Sequence, residues 1–227
     1  MGPAERSVLV WSGALMVSWF AGAEFLKPVP LTEVSVGGEI GRRIKVTVEN
    51  NVLKIDVERD FLAPFQNRTR EGGYIGLGKF IETLVQFAAH TKEERVRALK
   101  AHVVAETIAT QEPDGYIGIM VPEKRFWTLW DLHEMAYLVN GLTTDYEHFG
   151  STNSLHAAQR LADHIMAQWQ ARPESYPGED TLCEQMGTCG LEEAFLKLAA
   201  QTGQSRYREF CVEQRKLTEW NRPIVLG

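Results

Sequence analysis

The feature that most constrains this chain is a succession of apolar stripes at helical spacing, broken at short intervals by polar turns. Phe80, Ile81, Leu84, Val85 and Ala88 line one side of the stretch from Gly78 to His90, the three- and four-residue rhythm that gathers side chains on one helix face. Thr91-Lys92-Glu93-Glu94 then predicts a capping box, in which a Thr hydroxyl and a Glu carboxylate satisfy each other's orphan amides at a helix start. Val96, Leu99, Val103 and Ile108 carry the next stripe to about Thr110. A third helix is expected from near Asp131 to about His148, through Met135, Leu138, Val139 and Leu142. Gly150-Ser151-Thr152 turns it into a fourth, Ser154 to Trp169, and a fifth runs from about Leu191 to Ala200. The Gln201-Thr202-Gly203-Gln204 turn admits a sixth with Tyr207, Phe210 and Cys211. Antiparallel pairs of this kind bury their faces only against neighbouring pairs, so the expected class is all-α, either an α-solenoid or an α/α toroid.

What precedes the array is different in kind. MGPAER, with Arg6, is followed by a nearly charge-free run from Ser7 to Ala23 that ends in Ala21-Gly22-Ala23. Such a pattern is expected of a cleaved signal peptide, residues 1–23, because the run is short for a bilayer span of about 20 residues. An uncleaved anchor is the second reading, and secretion or a periplasmic location follows from the first. Residues 24–41 contain two prolines, two adjacent glycines and the alternating run Leu31 to Val36, and are expected to form an extended arm or edge strand. From 42 to 227 one helical domain is expected. Ile44, Val46 and Val48 alternate like a strand, while Ile44, Val48, Val52 and Ile55 keep helical spacing; helix is preferred.

Charge and cysteine content narrow the partners. The formal net charge is −6 and basic residues are interspersed with acidic ones, so no basic face is available for nucleic-acid phosphates. Cys183, Cys189 and Cys211 make an odd count. Cys183 and Cys189 can close a small disulfide loop or supply thiolates, but zinc sites use shorter spacings with a second Cys or His pair, and buried thiols are common.

Two connections are long, Gln111 to Trp130 and Gln170 to Thr188. In a compact helical domain such loops usually bind or catalyse, and both are expected at the same end of the array. The first leads into RFWTLWDLHEM, Arg125 to Met135. A zinc-protease reading of His133-Glu134 needs a second histidine one turn on, and position 137 is Tyr137, so it fails. Aromatic rings beside carboxylates and an imidazole suit sugars, whose C–H faces stack on rings and whose hydroxyls take polar groups. Asp114, Tyr116, Trp127, Trp130, Asp131, His133 and Glu134 are therefore the candidate substrate-binding residues, with Glu192 on the fifth helix; Phe126 lies beside them. Each has a plainer reading: Trp127 and Trp130 as core, Asp114-Gly115 as a turn, His133 and Glu134 as satisfied structural groups. Glycoside cleavage needs an acid and a base or nucleophile, and Glu82, Asp114, Asp131, Glu134, Glu192 and Glu193 are the carboxylates from which a pair would come. No nucleophile elbow or Walker loop is present, and Gly76-Leu77-Gly78-Lys79 lacks the spacing of a phosphate loop.

Taken in order, GGYIGLGKFIE (Gly72 to Glu82), TQEPDGYIG (Thr110 to Gly118), WDLHEMAYLVNGL (Trp130 to Leu142), LADHI (Leu161 to Ile165) and GLEEAFLKLAAQTGQSRYREFC (Gly190 to Cys211) resemble the N-terminal half of the catalytic domain of the β-L-arabinofuranosidase-like glycoside hydrolases, family 127. The resemblance runs roughly from Pro28 to the end. It implies an (α/α)6 barrel, of which six or so helices would make about half, an incomplete toroid. It implies that His133 hydrogen-bonds sugar hydroxyls at the sugar-binding end, that carbohydrate is the partner, and that the zinc-activated cysteine nucleophile and the acid–base glutamate of full-length relatives belong to the later half of the domain. No catalytic residue, metal ligand or cofactor is therefore assigned here, and the chain is expected to be a fragment, inactive alone. The Ser-Asp pair often found before the Gly-Lys-Phe-Ile-Glu helix reads Ile75-Gly76 here, and the Gly-His expected ahead of Glu192 reads Gly187-Thr188. A non-catalytic carbohydrate-binding or scaffolding helical array is the alternative expectation.

Overall fold

The computed structural model describes residues 29–126, 129–171 and 190–214, so the leader, Trp127, Cys183 and Cys189 lie outside the described residues. Within them the chain is helical and contains no strand; one isolated parallel bridge joins Arg70 and Met120. No described helix is long and apolar enough to cross a membrane.

The arm is shorter than expected. After a 3-10 turn at Leu31–Glu33, α1 (Gly38–Thr47) starts inside the stretch read as extended and continues through a π-helical turn, Val48–Val52. Helical spacing thus prevails over the alternation of Ile44, Val46 and Val48, because only the helical register turns Val48 and Val52 together into the protein, where they are 1% and 4% exposed. A π-helical turn at Glu58–Leu62 leads into the short α2 (Ala63–Asn67), a region where sequence periodicity predicted no element.

The next two helices are α3 (Leu77–Thr91) and α4 (Glu94–Ala109). The expected capping box does not form. Thr91 is the last residue of α3, and its hydroxyl donates to the Phe87 carbonyl at 2.7 Å while accepting the Glu93 amide at 3.3 Å. Lys92, at φ 56°, reverses the chain in one residue, so Thr91 closes one helix instead of opening the next. Then come α5 (Leu129–Phe149), α6 (Thr152–Ala171), α7 (Leu191–Thr202) and α8 (Ser205–Glu209), the last prolonged by a π-helical turn, Phe210–Gln214.

Helix α5 is the centre, packed against α3, α6 and α7; α3 also packs on α4, and α7 on α8. Three of these helices run parallel. Lys79 meets His133 and Glu82 meets Asn140, while Gly190 meets Tyr137 and Lys197 meets Thr144, so α3, α5 and α7 form one layer with their N-termini at one end. The return helices α4 and α6 touch one another as a second layer. Leu77, Ile81, Leu84 and Val85 of α3 join Met135, Leu138, Val139 and Leu142 of α5 in a continuous core with Leu161, Ile165, Phe195 and Leu198, all fully buried. The crossing of α3 and α5 depends on two glycines. A Cβ on Gly78 would overlap the backbone of Tyr137 and Leu138, and one on Gly141 would sit 2.6 Å from the Gly78 carbonyl oxygen.

Candidate functional site

Because α3, α5 and α7 are parallel, the segments that lead into them gather at their N-terminal end. The segment before α3 and the loop before α5 are tied there by the Arg70 amide donating to Ile119 (3.1 Å) and the Val121 amide donating to Arg70 (2.9 Å). A helix start leaves backbone N–H groups without intrahelical partners. At α3 the N-cap position is Gly76, φ 85°, which has no side chain to serve them. Glu134 of α5 does so instead, accepting the amides of Ile75 (2.6 Å), Gly76 (2.7 Å) and Gly78 (3.4 Å). Burial pushes its carboxyl above the usual range and the amides pull it back. A carboxylate at a helix N-terminus is favoured by both the hydrogen bonds and the helix dipole, so Glu134 fixes α3 to α5.

Three residues earlier, Asp131 does the same for the loop. Its Oδ1 accepts the Tyr116 hydroxyl at 3.0 Å and its Oδ2 the Phe126 amide at 2.6 Å. Phe126 is held at φ 64°, a left-handed backbone costly for an aromatic residue and compensated here by that bond. The Tyr116 oxygen also accepts the Met120 amide at 3.2 Å. Burial raises the Asp131 carboxyl to about 6, against the pull of its two donors, and likewise drives the Tyr116 phenol well upward. Further out, Arg125 grips Glu112 with two bonds of 2.7 and 2.9 Å and lies 4.2 Å over the Tyr116 ring. Arg68 adds an ion pair to Glu112 at 3.0 Å.

With both acids turned inward, a different set faces the end of the layer. Trp130, His133 and Tyr137 share one face of α5 by their spacing of three and four. Tyr74 comes from the segment before α3, and Lys79 from the first turn of α3. The His133 ring centroid lies 5.3 Å from Trp130, 5.1 Å from Tyr74 and 4.8 Å from Tyr137, and Trp130 lies 5.2 Å from Tyr74. Tyr74 is 44% exposed and Trp130 half-buried, while His133 is 6% exposed. The Lys79 Nζ is 2.9 Å from His133 Nε2. An ammonium can only donate, so Nε2 accepts and the ring proton belongs on Nδ1. The result is an aromatic shelf with one imidazole and one ammonium at its base.

Of the residues singled out from sequence, Trp130 and His133 are on this shelf. Asp131 and Glu134 are next to it, 0% and 1% exposed, with their oxygens directed at backbone and Tyr116. Tyr116 is fully buried beneath the loop, and Asp114 accepts the Tyr116 amide at 3.1 Å in a turn, with its other oxygen 3.4 Å from His164 Nδ1. Glu192 is in the first turn of α7, 8% exposed, and Trp127 falls outside the described residues. Glu82 accepts from Asn140 at 3.0 Å. Sequence reading passed over Tyr74, Lys79 and Tyr137. Tyr137 registered as the missing second histidine and Lys79 as part of a failed phosphate loop, yet Tyr137 shares the Trp130–His133 face, a signal that was available.

The zinc implied by the resemblance finds no ligand set here: among the described residues no three His, Cys, Asp or Glu side chains converge, and Cys211 is buried in the core. Compared with known families, residues 47–217 match the model described as β-L-arabinofuranosidase, GH127 catalytic domain. No curated protein matches the chain.

Proposed function

The chain belongs to the family of β-L-arabinofuranosidase GH127 catalytic domains, a glycoside-hydrolase family, and from that premise we propose that it binds carbohydrate at the shared N-terminal end of α3, α5 and α7. The observation that carries this reading is the shelf of Tyr74, Trp130, His133 and Tyr137 around Lys79. Tyr and Trp rings present apolar faces to sugar C–H groups, and the Lys79 ammonium, held by the His133 ring, supplies hydrogen bonds to hydroxyls. Asp131 and Glu134 act behind them as positioning residues, holding the loop and the α3 start so that the shelf keeps its shape. The parallel layer fits one arc of an (α/α)6 ring, and the Met1–Ala23 leader fits export. Glycosidic cleavage is the reaction class of the family, and this chain is read as holding the sugar, with no catalytic residue assigned to it.

The test is incubation of the protein with a panel of pentofuranosides and related glycosides, with released sugar measured by chromatography, beside a glycan array. Release supports the hydrolase reading. Array binding without release supports the second reading, a non-catalytic carbohydrate-binding array, which the inward-facing acids favour. Neither release nor binding would remove both.

A further inference from the structure

Lys79 differs from the other partly buried lysines among the described residues. Lys100 pairs with Asp145 at 2.7 Å and Lys197 with Glu147 at 3.3 Å, whereas Lys79 forms no ion pair among the described residues. Its partners are a neutral ring nitrogen at 2.9 Å and the faces of Tyr137 and Tyr74, with centroids 4.2 and 5.1 Å away. The nearby carboxylates are already engaged. Both oxygens of Glu134 accept backbone amides, Oε2 from Ile75 and Gly76 and Oε1 from Gly78, and Glu82, almost one turn along α3, accepts from Asn140. An ammonium taken partly out of water without a counter-ion costs free energy that two rings and an imidazole offset only in part. The ammonium carries three donors and His133 occupies one.

Resting on the carbohydrate reading, we propose that this shelf takes an acidic saccharide, with the sugar ring against Tyr74 and Trp130 and its anionic group at Lys79. The anion supplies the missing counter-charge and accepts the remaining N–H donors, in a place too desolvated for water to screen the pair fully. The shared chemistry is an anionic substituent on a sugar, either the carboxylate of a uronic acid or an ester sulfate. A purely neutral saccharide would leave the charge uncompensated.

The experiment is isothermal titration of the full chain with matched oligosaccharides: a uronate form against its carboxyl-reduced neutral form, and a sulfated form against its desulfated one. Wild type is expected to bind at least one acidic form about tenfold or more tightly than its neutral partner, with the preference shrinking at high salt. Lys79→Met is expected to abolish the preference, weakening the acidic form far more than its neutral partner, and Lys79→Arg to retain most of it; far-UV circular dichroism checks folding. A preference confined to one pair identifies the anion. Equal affinity for acidic and neutral forms overturns this proposal and leaves the carbohydrate reading standing, as does a Lys79→Met variant that keeps the acidic preference. Binding of no form overturns both.

Discussion

Asp131 and Glu134 stand three residues apart on one turn of α5, and each spends its charge on backbone amides of a different neighbouring segment. Removing such a carboxylate strands the donors it serves, which costs more than the bond itself is worth. Glu134→Ala is expected to lose about 2–4 kcal/mol of stability in urea unfolding, and Glu134→Gln less, because the amide oxygen still accepts. Asp131 makes a prediction of sign. Its carboxyl titrates near 6 when folded, above the ordinary 3.8, chiefly because it is buried, so the folded protein holds this proton more tightly than the unfolded chain does. Its contribution is therefore complete below about pH 4 and declines as pH rises towards about 6, by roughly 2–3 kcal/mol. Arg125 and Glu134, the charges that also act on it, oppose one another. Asp131→Asn is expected to flatten this part of the stability–pH curve, measured by urea midpoints at half-unit steps; an unchanged slope would mean that other groups set it.

At the level of helices, most periodic stripes translated into structure because burial of one face decides the register, although α4 buries Lys100 and Thr107 beside Val96, Val103 and Val104. Two features escaped. The π-helical turns at Val48–Val52 and Glu58–Leu62 break the 3.6-residue rhythm on which such reading relies. The helix start of α3 is capped by a residue 58 positions away from Gly76, which no local pattern announces. Gly78 was read as a helix start, a piece of a family motif and a failed phosphate-loop fragment, although its work is to let two backbones meet. Gly78→Ala is expected to cost about 3 kcal/mol or more, or to prevent folding, because the added methyl meets main chain that cannot step aside. Gly72→Ala, with open space around it, should stay within about 0.5 kcal/mol. Thermal unfolding of the pair tests whether the α3–α5 contact is that close.

For the molecule as a whole, the residues read from sequence around the loop before α5 lie near the start of that helix, but packing divides them between the shelf and the interior. Loop length and the order of motifs pointed to the connection before α5. They did not distinguish Trp130 and His133, whose rings belong to the shelf, from Tyr116, Asp131 and Glu134, whose polar groups are spent on the loop and the α3 start, because an acid that binds a ligand and one that caps a helix are the same residue type. Only packing separates them: the amides of Ile75, Gly76 and Phe126 claim the acids and leave Tyr74, Lys79 and Tyr137 to complete the shelf. The most direct check is calorimetric titration with the best-binding oligosaccharide from the array, comparing wild type with Trp130→Ala, both confirmed as folded. Loss of one stacking platform is worth about 1–3 kcal/mol, so the variant should bind about tenfold or more weakly. Equal affinity would place the sugar elsewhere and contradict a binding shelf at the N-terminal end of α3, α5 and α7.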